Sequence, residues 1–215
     1  MIKKGVFILG ISTLILSSCI EHEVIPPPEP KVELYAHFIG DINGAPLELT
    51  ENVLGYYMEC TTAKYILPPP NASTAVYYSE MKTDQVQTSV RIGMGSVAWD
   101  ANISAEPTLT SFNALFQTNL LPNYSDDAIA GFEFTYTDGT GRVWKSSETS
   151  VNVQDVEFSG VVQESDNSGD YSKYVCNFNC YVYSLNPDSL ALNPPVVHLD
   201  SIPVTDATYQ GWFKR

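Results

Sequence analysis

Apolar and polar positions alternate with period two through most of this chain, the pattern of half-buried β-strands. Val32, Leu34, Ala36 and Phe38 alternate with Glu33, Tyr35, His37 and Ile39, which predicts a first strand with one mainly apolar face. Asn43-Gly44 follows, a pair that favours a tight hairpin into Ala45–Leu49. Further strands are predicted over Tyr56–Tyr65, Val76–Met81 and Thr88–Trp99. Between the first two of these, Leu67-Pro68-Pro69-Pro70-Asn71 breaks the ladder, because proline has no N–H to donate. Gly93 and Gly95 share one face of their strand and call for a bulge or a close backbone approach.

One segment changes period. Leu109, Phe112, Leu115, Phe116 and Leu120 fall at helical spacing, so Thr108–Asn119 reads as an amphipathic helix covering the sheet. Period two then resumes. Phe132, Phe134 and Tyr136 alternate with Glu133, Thr135 and Thr137, Asp138–Gly141 supplies a turn, and Arg142–Lys145 returns. Val151 and Val153 are out of phase with Val156 and Phe158, which implies a bulge or turn near Gln154–Asp155. Ser165–Asp170 reads as a loop. Tyr174–Ser184 reads as a long strand with Cys176, Phe178, Cys180 and Val182 on one face. Residues 186–203 carry four prolines and read as a long connection or irregular edge, and Tyr209–Lys214 closes the chain as a last strand. The predicted fold is therefore mainly β, an antiparallel β-sandwich with one short amphipathic helix, occupying residues 32–215 as a single domain.

The N terminus has a different pattern. Lys3 and Lys4 precede Gly5–Leu16, an apolar run of about a dozen residues, the form of a secretory signal peptide. Crossing a hydrocarbon core needs about 20 apolar residues, and no stretch in the chain reaches that. Leu16-Ser17-Ser18-Cys19 resembles the bacterial lipobox. The resemblance implies removal of residues 1–18, diacylglycerol on the Cys19 thiol and acylation, typically palmitate, of the new amino terminus. Two or three acyl chains hold a protein on a membrane where one would not. Ile20 stands where inner-membrane retention signals place Asp, which favours the outer membrane. Glu21 and Glu23 resemble the acidic export signal of surface-exposed Bacteroidota lipoproteins, so the expected location is outer membrane, lipid-anchored, surface-exposed or periplasm-facing. Residues 19–31, with Pro26-Pro27-Pro28-Glu29-Pro30, form the lipidated cysteine and a stiff proline-rich tether.

Four fragments resemble small exported Bacteroidota lipoproteins that carry an uncharacterised β-sandwich domain: Phe38–Gly44, Ser111–Phe116, Gly131–Trp144 and Ala207–Phe213. The resemblance covers most of residues 32–215 in style and order of elements. It implies the fold and the exported location, and it supplies no catalytic residues.

Charge narrows the partners. The formal net charge is −14, and about −16 without residues 1–18. So acidic a chain repels phosphate backbones, which argues against nucleic acid, and repels anionic headgroups, leaving the lipid on Cys19 as the expected membrane contact. Cys60, Cys176 and Cys180 remain after processing. An odd number in an oxidising compartment permits one disulfide plus a thiol, or three buried thiols. Cys176 and Cys180 are about 13 Å apart along a strand and cannot pair with each other, whereas Cys60 could pair with either.

Candidate chemistry is sparse. Glu164 and Asp166–Asp170 superficially resemble a calcium loop but lack its spaced acids and closing bidentate Glu. Asp126-Asp127 reads as a capped, solvated turn. The histidines available to a Ser-His-Asp triad are His22, His37 and His198, with no Gly-x-Ser-x-Gly elbow beside them. No catalytic residue, metal ligand or cofactor is therefore assigned, and the expected class is non-enzymatic. The chain holds 13 Tyr, 9 Phe and 3 Trp. Trp99, Trp144 and Trp212 close or flank strands and are the candidates for stacking on a glycan. The leading expectation is a binding or accessory module for a glycan or another surface protein. A pilin-like assembly subunit that exchanges strands, or a carbohydrate-active enzyme, are the competing classes.

Overall fold

The computed structural model describes residues 31–186 and 198–215. The signal peptide, Cys19 and the proline tether lie outside the described residues, as do Pro187, Pro194 and Pro195 of the last connection. No helix among the described residues is long and apolar enough to cross a membrane.

Among the described residues, ten strands and one α-helix follow the expected order. They are β1 (His37–Ile42), β2 (Ala45–Thr50), β3 (Tyr57–Tyr65), β4 (Ser73–Lys82), β5 (Ser89–Trp99), α1 (Leu109–Thr118), β6 (Phe132–Thr137), β7 (Val143–Ser146), β8 (Asp155–Asp166), β9 (Gly169–Leu185) and β10 (Leu199–Lys214). They form one antiparallel sheet in the order β2-β1-β10-β9-β7-β6-β5-β4-β3, with β8 also paired to β9. The sheet curls so that β3 and β4 face β10 and β9. Tyr174 Oη donates to Ser79 Oγ across the core at 2.8 Å, and Tyr209 Oη contacts Met58 Sδ at 3.4 Å. The mainly β, antiparallel sandwich class with one short helix is what the alternation predicts.

The fold turns its corner at β7. This strand pairs with β6 through Thr135–Thr137 and with β9 through Tyr183 and Val182. At the end of the β6 ladder, the Phe134 N–H finds the Ser146 hydroxyl at 2.9 Å instead of a backbone carbonyl. A side chain thus satisfies a buried donor where the sheet bends away. The core behind it is aromatic. Phe134 packs on Phe178 with centroids 4.7 Å apart, and Phe116 of α1 stacks on Phe213 at 4.6 Å. Thr108 caps α1 by accepting from Ser111 N. Phe112, Leu115 and Phe116 are buried, whereas Leu109 and Leu120 at the two ends of the predicted stripe are exposed.

Several boundaries differ from the alternation. Ser165–Asp170, read as a loop, is a tight turn between paired strands: Ser165 pairs with Asp170 and Asp166 with Gly169, so β9 starts five residues before the predicted strand. Residues 31–36 keep their inward–outward period but lie in no ladder; β1 starts at His37. The Val32 N–H goes to Asp166 Oδ2 at 2.8 Å, and Ala36 exchanges bonds with Glu51 at both its N–H and its carbonyl. Val151 and Val153 point into solvent, 96% and 92% exposed, and β8 starts only at Asp155. Finally, β10 begins ten residues before the predicted strand and runs through Pro203. The Pro203 carbonyl accepts from Asn43 N at 2.8 Å beyond the last β1 rung, so its nitrogen faces a side where no ladder donor is required.

Gly93 and Gly95 serve both predicted purposes. Ser96 is the extra residue of a bulge, since Val76 pairs with Gly95 and Ala75 with Val97. A segment leading into β6, including a short 3-10 turn at Asp126–Ala128, also lies against this face. A Cβ on Gly95 would stand 2.1 Å from the Ala128 carbonyl oxygen, and one on Gly93 would meet the Tyr78 ring at 2.7 Å and the Ala128 methyl at 2.8 Å. Gly95→Ala is expected to destabilise the protein by about 1–3 kcal/mol through overpacking. Urea unfolding followed by circular dichroism measures this, and a wild-type midpoint would contradict the packing described.

Candidate functional site

The segment pressed on Gly93 and Gly95 is held by a carboxylate that the alternation places outside. Glu133 points away from the core, yet it is 2% exposed because residues 125–131 cross over it. Its Oε2 accepts from the Asp127 N–H at 2.8 Å and its Oε1 from Thr135 Oγ1 at 3.2 Å. Arg91 and Lys145 each approach it to 3.6 Å. Lys145 also bonds Asp127 Oδ1 at 2.7 Å and holds that carboxyl below the usual carboxylate range. Tyr78 Oη donates to the Asp127 carbonyl at 2.9 Å. Asp126 accepts from Glu148 N. Asp126-Asp127 is thus a capped turn whose second member is tied down by the Lys145 ammonium. Asp127 and Ala128 both have φ near +55°. Two successive non-glycine residues in that region are strained, and the Glu133 bond offsets part of the cost.

A second carboxylate organises the β6–β7 hairpin. Asp138 Oδ1 accepts from Thr140 N, Thr140 Oγ1 and Arg142 N, and its Oδ2 from Trp144 Nε1 at 3.1 Å. Burial pushes this carboxyl up, but the donors outweigh it and hold it at about 2. Arg142 lies over the Trp144 ring at 4.2 Å and reaches Ser184, the Leu185 carbonyl and Asp200 Oδ2 at 2.7 Å. The run from Asp138 to Trp144 is therefore a clamp that fixes the end of β9 to the start of β10.

The Asp166–Asp170 turn also spends its carboxylates on the fold. Asp166 is lowered to about 2 by Ser168 Oγ, the Val32 N–H and the Ser168 N–H. Asp170 takes Ser165 Oγ and Arg215, which in turn bonds Glu106 and the Pro107 carbonyl. Among the described residues, no group of three or more His, Cys, Asp or Glu side chains is placed to hold a metal ion.

Among the described residues the cysteines Cys60, Cys176 and Cys180 are free thiols, with no disulfide between them. Cys60 Sγ donates to the Trp212 carbonyl at 3.1 Å, and burial pushes its thiol up to about 12. Cys180 is likewise pushed up to about 12 by burial. Of the histidines, His37 pairs with Glu48 at 3.1 Å on β1, His198 faces Asp200 at 3.6 Å, and His22 lies outside the described residues.

The three indoles differ in what they offer. All are buried, with Trp99 8% and Trp144 and Trp212 each 7% exposed, so an open stacking platform is not formed by any of them alone. Trp144 is enclosed between Arg142 and Asp138, and its placement is structural. Trp99 bonds the Ser104 carbonyl and borders a hollow of about 170 Å³ beside Pro69 and Pro70. Trp212 lines a groove of about 850 Å³. The opposite wall is residues 31–35, where Tyr35 is 50% exposed and stacks on His37. Lys31, Glu33, Glu51 and Lys173 complete the groove. Trp212 and Lys173 are cross-strand partners on β10 and β9, and Lys173 is held by Glu164 at 2.7 Å. In this groove, aromatic and charged side chains share a concave surface of ligand size.

No protein-family model matches the chain, and neither a curated protein nor a solved structure matches it.

Glu133→Ala would leave the Asp127 N–H without its acceptor and Arg91 and Lys145 without their buried partner. A loss of about 2 kcal/mol is expected in urea unfolding, with Glu133→Gln losing less because it keeps an acceptor. Asp138 and Asp166 set a pH dependence. Each carboxyl sits lower in the native state than its unfolded value of about 3.9. The stability they contribute is present above that value and is lost as pH falls through about 2. Unfolding free energy is expected to drop between about pH 4 and pH 2, and Asp138→Asn together with Asp166→Asn should flatten that slope.

Proposed function

We propose that this chain is an exported lipoprotein, acylated at Cys19, whose sandwich acts as a non-enzymatic binding or accessory module at the outer membrane. The observation that carries the reading is the order of signals at the N terminus. Lys3 and Lys4, a short apolar run, two serines and Cys19 stand in the sequence that lipid attachment requires. The anchor leaves the sandwich to do the recognition, either at the cell surface or facing the periplasm.

Two features of the domain support a binding role. The carboxylates Glu133, Asp138, Asp166 and Asp170, at separate places in the domain, accept hydrogen bonds from the protein's own donors. They serve the fold rather than a reacting substrate. The groove at Trp212 and Tyr35, by contrast, combines aromatic surface with charged side chains and opens to solvent. A glycan or an extended segment of another surface protein fits such a lining.

Metabolic labelling with a palmitate analogue tests the anchor. Wild-type protein is expected to incorporate the label and fractionate with membranes. Cys19→Ala should lose the label and either appear in the soluble fraction or accumulate with its signal peptide, while the folded domain keeps its melting temperature. Label and membrane association that survive in Cys19→Ala would overturn the reading.

A further inference from the structure

We propose that the groove between residues 31–35 and Trp212 binds an uncharged oligosaccharide. The inference rests on the binding-module reading and names the ligand class for it. Its basis is the charge balance of the lining. Lys31 and Lys173 line it together with Glu33 and Glu51, Lys173 is already paired with Glu164 and Glu51 already accepts from Ala36 N, so no unpaired charge of one sign dominates the groove. Around it, a chain of net charge −14 disfavours polyanions, including acidic glycans and phosphate-bearing surfaces. A purely apolar ligand would desolvate four ionic heads without replacing their hydrogen bonds. Sugar hydroxyls replace them, because each hydroxyl both donates to a carboxylate and accepts from an ammonium. The C–H faces of the same rings pack on the half-exposed Tyr35 ring, with only the small exposed edge of Trp212 beside it.

Shape agrees with this chemistry. About 850 Å³ lies toward the upper end of the ~300–1,000 Å³ typical of small-ligand sites, enough for more than one ring. The other hollows lack one or more of these elements. The space beside the β4–β5 turn, about 610 Å³, is lined by Glu80, Lys82, Asp84 and glutamines and has no aromatic wall. The one beside Tyr124, about 370 Å³, has its phenol already bonded to the Asp155 and Asn179 carbonyls. The hollow at Trp99, about 170 Å³, lies below that range.

The groove is also preorganised. Its outer wall is latched by the Val32–Asp166 bond and by the paired bonds between Ala36 and Glu51, and its floor by Cys60 on the Trp212 carbonyl. A wall fixed before binding lowers the entropy lost when a ligand enters.

The test uses the full acylated chain in detergent, titrated with neutral trisaccharides of the gluco, galacto, manno and N-acetylhexosamine series. Binding is read by calorimetry and by tryptophan fluorescence. Trigalacturonate and an uncharged peptide of similar length are the comparisons. At least one neutral trisaccharide is expected to bind, with trigalacturonate at least tenfold weaker. Tyr35→Ala, a half-exposed position outside every ladder, should weaken binding about tenfold without changing the melting temperature. No response to any neutral sugar overturns the saccharide assignment, as does Tyr35-dependent binding of the peptide or of trigalacturonate alone. Sugar binding that Tyr35→Ala leaves unchanged overturns the location. Failure of the anchor reading shows separately, as absence of lipid on the purified chain.

Discussion

The double pairing of β9 is the constraint on which the rest of this structure depends. Over 17 residues it meets β10 on one side, and β8 and then β7 on the other. A strand paired on both edges has no free backbone donors, so its side chains set the layers on either side. Inward it carries Tyr174, Cys176, Phe178, Cys180 and Val182, all buried, and these are what β4, β6 and α1 pack against. Outward it carries Lys173, which stands beside Trp212 and gives the groove its floor. At its far end Ser184 and Leu185 receive Arg142, so the Asp138–Trp144 hairpin is fixed to the same strand.

Local signals were enough to read most elements. Thr108 and the spacing of Phe112, Leu115 and Phe116 define α1 to within a residue, because capping and helical period are both local. The Asn43-Gly44 hairpin and the β6–β7 turn were equally legible, since their φ demands are met by the residues themselves. Gly93 and Gly95 announced a close approach without naming the neighbour. That neighbour, Ala128, comes from a segment more than thirty residues on, which no periodicity connects to β5.

The sites were much less legible, for the same reason. Period two placed Glu133 in solvent, and only the crossing of residues 125–131 buries it. The tryptophans were sensible candidates by residue type, but their surroundings are non-local: Trp144 is closed off by Arg142, whereas Trp212 meets a wall supplied from near residue 31. The odd number of cysteines left two arrangements open. In the fold Cys60 donates to the Trp212 carbonyl, Cys176 and Cys180 are buried, and all three are free thiols.

The pairing of β1 with β10 has a consequence for the order of events after synthesis. His37–Ile42 finds its ladder partner in Val204–Gln210, at the other end of the chain. The sheet therefore cannot close until nearly the last residue is available, and such high contact order slows folding. Until then β1 lacks one of its two neighbours, and the segment already made stays short of the full set of pairings that would fix its shape. With Cys60, Cys176 and Cys180 all free thiols, the described residues can search for their native register without covalent traps between these three.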